Sequence, residues 1–248
     1  MDFQFIEWQS QEGVARLTLK RPPLNIINIA MLRELRSALD MIARDESLRT
    51  LVVRAEGKMF SAGVDVADHT ADKVGEMIPL FDRVCVALSA FPTPTLAVVH
   101  SHALGGGCEI ALCCDLIIAA EGANFGQPEI KLATIAPIAA LRLPGMIGYR
   151  RAAEMLFSGE PISSIEAAQI GLINRAVPIE QLDPTVDQLI GKLNALSGVA
   201  LRLCKRALRL NNVTEMENLY LDELMTTGDA LEGLAAFMQK RAPIWKNR

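Results

Sequence analysis

The sequence has no surplus of cationic charge: 25 Lys and Arg stand against 29 Asp and Glu, for a net charge of −4. A general nucleic-acid binder shows a basic excess or stripe, so that class is excluded. Any anionic ligand must be held by local donors rather than by a global field. No apolar run is long enough to span a bilayer, because His100, Glu109, Asp115, Lys131 or Arg142 interrupts each candidate. Five cysteines are too few, odd in number, and match no zinc or redox spacing. Cys113 and Cys114, adjacent in an apolar run, read as small core residues, and this usage favours a reducing, cytoplasmic setting. The opening residues carry neither a basic n-region nor an apolar h-region, so no signal peptide is expected. A Walker lysine, a G-x-G-x-x-G fingerprint and a G-x-S-x-G elbow are all missing. His100 and His102 form an H-x-H pair without a further ligand set, so they read as structural and no metal site is expected.

What is present suits one large domain, or a main domain with a small one. The chain has 248 residues, 50% of them hydrophobic and 22% charged, enough to bury a full core without staples. Alternating segments at Phe3–Gln9 and Val14–Leu19, joined through Ser10–Gly13, predict a hairpin that Arg21-Pro22-Pro23 ends. Met31, Leu32, Leu35, Leu39 and Ile42 fall at helical spacing within 29–44. A buried strand at Leu51–Val53, a helix over 73–90, a strand at Thr95–Val99, a short helix through Ile110 and a strand at Leu116–Ala119 follow. Strands and helices in this order predict α/β architecture with crossover connections. After Val177-Pro178 only helical periodicity remains, with apolar stripes and Lys and Arg residues that read as a solvated face. The expected division is a strand-and-helix core over 1–195 and a helical region over 196–248.

Three features can carry chemistry. Gly105-Gly106-Gly107 stands between a strand and a helix, where amides approach a ligand unobstructed and the helix start offers free N–H donors. That suits a developing oxyanion or a phosphate; the plain alternative is a tight turn. Glu109 sits in an otherwise apolar helix and Glu129 follows Phe125-Gly126-Gln127-Pro128. A carboxylate among apolar neighbours is costly unless paired or working, and two on one site can divide acid and base roles. The alternative is two carboxylates that never meet. Phe60-Ser61-Ala62-Gly63-Val64-Asp65 is a small-residue loop able to offer a second backbone donor, or simply a turn.

Together these motifs resemble the crotonase (enoyl-CoA hydratase/isomerase) superfamily over nearly the whole chain. The resemblance is carried by Phe60–Asp65, Ala103–Glu109, Asp115, Phe125–Ile130 and the ending Glu232–Phe237 with Lys240-Arg241, the two glutamates standing twenty residues apart. It implies an α/β fold, a spiral of ββα units with a C-terminal helical trimerisation region, assembled as a homotrimer or a dimer of trimers. It implies an acyl-CoA substrate whose thioester oxygen is held by the backbone N–H groups of Val64 and Gly106. No separate cofactor is implied, since coenzyme A is part of the substrate. Glu109 would orient and deprotonate the attacking water and Glu129 would protonate the enolate carbon. Ala62, Asp65 and Val66 would touch substrate, and Phe237 and Lys240 would reach the coenzyme of a neighbouring subunit.

Three runs are similar to the branch of that family acting on cyclohexa-1,5-diene-1-carbonyl-CoA: Pro22–Met31, Ala136–Ala140, and Tyr220–Met225 with Thr227–Gly233. That branch implies anaerobic degradation of aromatic compounds. Ala136, Pro137 and Ala140 are expected in the acyl pocket, small enough to admit a ring. Two alternatives stand beside it: a general short-chain enoyl-CoA hydratase, and a non-catalytic acyl-CoA-binding homologue.

Overall fold

Alternation of side chains is what builds the central sheet. A computed structural model describes residues 3–248; Met1 and Asp2, the first residues of the expected core, lie outside the described residues. Strands β1 (Ile6–Gln11) and β2 (Val14–Leu19) pair as an antiparallel hairpin turned at Glu12 and Gly13, both at positive φ. Helix α1 (Ile29–Ile42) is capped by the Asn28 side chain, which accepts from the Met31 amide at 2.9 Å. Then come β3 (Thr50–Ala55), α2 (Val74–Ser89), β4 (Thr95–Val99), β5 (Ala103–Leu104), α3 (Gly106–Leu112), β6 (Leu116–Ala120) and β7 (Asn124–Gly126). The second half contains α4 (Pro137–Ile147), α5 (Tyr149–Ser158), β8 (Ile162–Ser163), α6 (Ser164–Gln169) and β9 (Arg175–Val177). It ends with α7 (Ile179–Asn194), α8 (Gly198–Ala207), α9 (Val213–Asn218) and α10 (Gly228–Met238).

The larger sheet has six strands in the order β1-β2-β3-β4-β6-β9, parallel except for the hairpin. Its central strands β3, β4 and β6 are buried on both faces, as parallel strands covered by helices must be, while the edge strands β1 and β9 are largely exposed or half-buried. On one face Leu51, Val53, Ala97 and Val99 meet α1, α2 and α3; on the other Val52, Leu96 and Val98 meet Leu182, Val186 and Ile190 of α7. Each such buried aliphatic side chain contributes roughly 1.5–3 kcal/mol. A small second sheet, β5-β7-β8, packs where the glycine-rich turn begins. Among the described residues no helix is long and apolar enough to cross a membrane.

The structure departs from the sequence expectations in identifiable places. β1 starts at Ile6 rather than Phe3, because the amides of Gln4 and Phe5 donate instead to the Glu34 carboxylate at 3.0 and 2.8 Å. Strands β7, β8 and β9 have two or three residues each, too few to show an alternation. The helical stretch over 216–225 is two pieces, α9 and a π-helical turn at Leu219–Leu224. The tail cations are not all a solvated face: Lys205 is 5% exposed, paired with Asp115 at 2.6 Å and donating to the Thr93 carbonyl at 3.0 Å. A buried ammonium survives only when paired and hydrogen-bonded, and this pair ties the helical tail to the sheet.

Candidate active site

The turn from β5 into α3 shapes the site. Gly105 has φ of 51°, and a Cβ there would stand 2.5 Å from Glu129 Oε1, so both conformation and space demand glycine. Gly106 opens α3, and a Cβ on it would meet Val64 Cγ2 at 2.5 Å. The loop carrying Val64 is held by the Ser61 hydroxyl, which donates to the Asn25 carbonyl at 2.7 Å and accepts from the Gly63 amide at 3.1 Å. Ile27 N–H donates to the Gly63 carbonyl at 2.9 Å, and Asp65 N–H donates to the Ile27 carbonyl at 2.8 Å. This bridge occupies the groups on either side of Val64 and leaves the Val64 amide pointing away. Among the described residues neither the Val64 nor the Gly106 amide donates to a protein acceptor. Gly106 is free because the first turn of a helix has no acceptor for its N–H groups.

A cavity of about 410 Å³ opens over these amides, lined by Ala62, Val64, Val66, Gly106, Glu109 and Glu129. The two carboxylates therefore share one chamber. Glu109, 3% exposed, lies a turn beyond the glycines; its Oε1 accepts from the Ala139 amide at 2.9 Å. That amide belongs to the first turn of α4, whose preceding residue, Ala136, supplies no side-chain cap. Glu109 thus acts as the cap that α4 lacks locally. Burial pushes its carboxyl up to about 8, against the stabilising α4 amides and with the nearby Glu129 charge reinforcing the rise. Glu129 stands in a 3-10 turn (Pro128–Leu132) ended by Ala133 at φ 57°, and the Thr134 hydroxyl donates to its carbonyl at 3.0 Å. Burial raises its carboxyl too, while its own amide and the imidazole of His69 favour the ionised form. Its Oε2 is buried without a partner among the described residues.

Other expected residues lie elsewhere. Asp65 does not line the cavity: its carboxylate accepts from the Ala67 amide at 3.1 Å and faces Arg21 at 3.5 Å, so it caps the 3-10 turn Val66–Asp68. Pro137 lines the cavity, but Ala136 and Ala140 do not, because α4 carries Ala136 into the core at 3% exposure and turns Ala140 outward. Thr134, Ile135 and Leu132 form that wall instead. Phe237, 84% exposed on α10, and Lys240, just after it, are outside the lining of this cavity. The far wall, Met77, Ile78 and Phe81 of α2, is apolar and was not singled out by sequence. Nor was His69, whose Nδ1 lies 3.1 Å from the Asp65 carbonyl. A lone loop histidine gives no local signal. A local signal for the Glu109 contact does exist: Ala136, before Pro137, has no side chain able to cap α4.

Two free amides lining one cavity with two buried carboxyls can stabilise an oxyanion and move protons to and from the carbon skeleton attached to it. Comparison with known proteins fits that geometry. A family model described as enoyl-CoA hydratase/isomerase matches residues 9–248. A cyclohexa-1,5-dienecarbonyl-CoA hydratase of Thauera aromatica is 37% identical, the match covering 97% of this chain and 96% of that protein. A probable enoyl-CoA hydratase of Bacillus subtilis is 36% identical over 94% of this chain and 95% of that protein. The crystal structure of an enoyl-CoA hydratase from Bacillus anthracis superposes with a TM-score of 0.92 at 31% identity, covering 99% of this chain and all of that one.

Proposed function

The chain belongs to the enoyl-CoA hydratase/isomerase family and is a hydratase of acyl-CoA thioesters; from that premise we propose that it hydrates a conjugated cyclic dienoyl thioester, cyclohexa-1,5-diene-1-carbonyl-CoA, to 6-hydroxycyclohex-1-ene-1-carbonyl-CoA. The observation that carries hydration is the presence of Glu109 and Glu129 in one chamber with the Val64 and Gly106 amides. The thioester oxygen takes the two amides. One carboxylate accepts a proton from water as the water oxygen bonds to the β-carbon, and the electron pair moves onto the thioester oxygen. The other, protonated, carboxyl returns a proton to carbon. Each oxyanion donor contributes roughly 3–4 kcal/mol to the barrier reduction.

Burial raises both carboxyls above the ordinary carboxylate range, so either can hold a proton for transfer. We therefore assign the acid and base roles to the pair rather than one role to each residue. A cyclic diene asks for protonation at the far end of the conjugated system, leaving one double bond conjugated with the thioester. The wall of Ile135 and Pro137 opposite α2 supplies an apolar slot of the kind a ring needs. The similarity to the Thauera aromatica enzyme supports this choice. The enzyme works in the cytoplasm as a homotrimer or dimer of trimers, with Phe237 and Lys240 serving a neighbouring subunit's coenzyme. The test is kcat/KM on cyclohexa-1,5-diene-1-carbonyl-CoA against crotonyl-CoA. Preference for the ring supports the proposal; preference for crotonyl-CoA leaves a short-chain enoyl-CoA hydratase, and no turnover of either leaves a binding homologue.

A further inference from the structure

Helix α4 separates two cavities. Pro137 lines the one holding the carboxylates, while Ile138, Leu141 and Arg142 line another of about 430 Å³. Two cysteines from different helices meet in the second: Cys85 of α2 and Cys113 at the end of α3. They are 28 residues apart in sequence, and both line this one cavity beside Arg142. Arg142 reaches the same space; its Nη1 donates to the Ser89 hydroxyl at 2.6 Å and its Nε is buried without a partner among the described residues. Arg209 stands on the rim. Neither thiol has a part in the acid–base chemistry.

The two sulfurs are electrostatically unlike. The neighbouring Cys85 thiol, and after it the Arg142 guanidinium, hold the Cys113 thiol down to about 7 despite burial. Cys85 is pushed well up, by the neighbouring Cys113 and by burial. One thiolate with a protonated thiol beside it is the arrangement of an attacking and a resolving cysteine.

We propose that Cys113 and Cys85 form a hydroperoxide-reactive pair, reached through this second cavity, that closes to a disulfide and slows the enzyme through α4. The Cys113 thiolate attacks one oxygen of hydrogen peroxide; the O–O bond breaks, Cys113 sulfenic acid forms, and the other oxygen leaves as hydroxide. Cys85 then attacks the Cys113 sulfur; the S–S bond forms, the S–OH bond breaks, and the Cys85 proton leaves with hydroxide as water. The two electrons lost by the pair are those gained by the peroxide.

The route to the active site is short. Glu109 and Cys113 are four residues apart and so share one face of α3. The same turn of α4 supplies the Ala139 amide to Glu109 at 2.9 Å and Ile138 to the wall of the thiol cavity. Drawing Cys113 onto Cys85 moves the end of α3 against that turn and disturbs the seat of the carboxylate.

The experiment is peroxide treatment of the full-length protein followed by non-reducing peptide mapping, with the rate of crotonyl-CoA hydration measured in parallel. The expected result is one Cys85–Cys113 cross-linked peptide and a hydration rate at least about tenfold lower, the worth of one charge-assisted hydrogen bond. Dithiothreitol reverses both. Cys85→Ser stops at a sulfenic acid that dimedone traps on Cys113, and Cys113→Ser keeps its rate in peroxide. Both thiols still free while the exposed Cys204 is oxidised, or equal loss of rate in the wild type and Cys113→Ser, would overturn the proposal. The mapping does not depend on turnover, so a failed hydratase assay leaves the thiol result standing on its own.

Discussion

Glu109→Gln separates the chemical use of a buried carboxyl from its structural cost. The side chain is 3% exposed, and burial moves its carboxyl from the ordinary 4.5 up to about 8. A carboxyl with a higher pKa folded than unfolded binds more protons in the folded state. Its contribution to stability is whole below 4.5 and is lost as pH rises through about 8. At about 1.4 kcal/mol per pH unit, this amounts to on the order of 4–5 kcal/mol. That is an upper figure, because part of the rise comes from the charge on Glu129 rather than from burial. Glutamine keeps an oxygen for the Ala139 amide and never ionises. The stability of the variant relative to wild type is therefore expected to grow by roughly 4 kcal/mol between about pH 5 and pH 9. Its turnover falls about 10²–10⁴-fold. Urea midpoints at fixed protein concentration across that range, paired with hydration rates, measure both. A stability gap that stays flat with pH would refute the buried-carboxyl reading, and near-wild-type turnover would refute its role in proton transfer.

Gly106→Ala places a methyl group 2.5 Å from Val64 Cγ2 and displaces one of the two free amides, so kcat/KM should fall about 10²–10³-fold; a loss under threefold would remove Gly106 from the oxyanion site. His69→Asn removes the imidazole that favours ionised Glu129, so the limb of the pH–rate profile belonging to Glu129 should move to higher pH; an unmoved profile would show the two are not coupled in solution. Asp229 is 2% exposed and accepts from the Ser197 hydroxyl at 2.6 Å and the Lys246 amide at 2.7 Å. Asp229→Ala should free the C-terminal segment, read as faster amide exchange over 242–248, and cost about 2–3 kcal/mol. Phe237 and Met238 expose an apolar face on α10, at 84% and 76%, that one chain leaves uncovered. Sedimentation should show a trimer or hexamer, and Phe237→Asp should weaken it; a wild-type monomer at micromolar concentration would contradict the proposed assembly.

Local periodicity was enough for the elements that bury one clean stripe or face. Thr95–Val99 is a strand over the expected residues, and α1 and α2 begin and end within two residues of the expected limits. Their apolar spacing is a property of consecutive residues and needs no partner to be read. The glycine turn and the glutamates were legible through motif order, because a backbone donor and an acid must sit at fixed offsets from the turn that presents them. The remaining site residues came from elements distant in the chain. His69 reaches Glu129, and the Ala139 amide reaches Glu109, only because the 66–70 loop and α4 fold over the same cavity. Ala140 and Asp65 were misplaced for the same reason: a residue type says that a side chain is small or charged, not which way a helix or turn faces it. The pairing of Cys85 with Cys113 is likewise invisible in a linear string. It exists because α2 and α3 pack against one face of the sheet, and close packing between elements, unlike periodicity within one, is decided only when the whole core assembles.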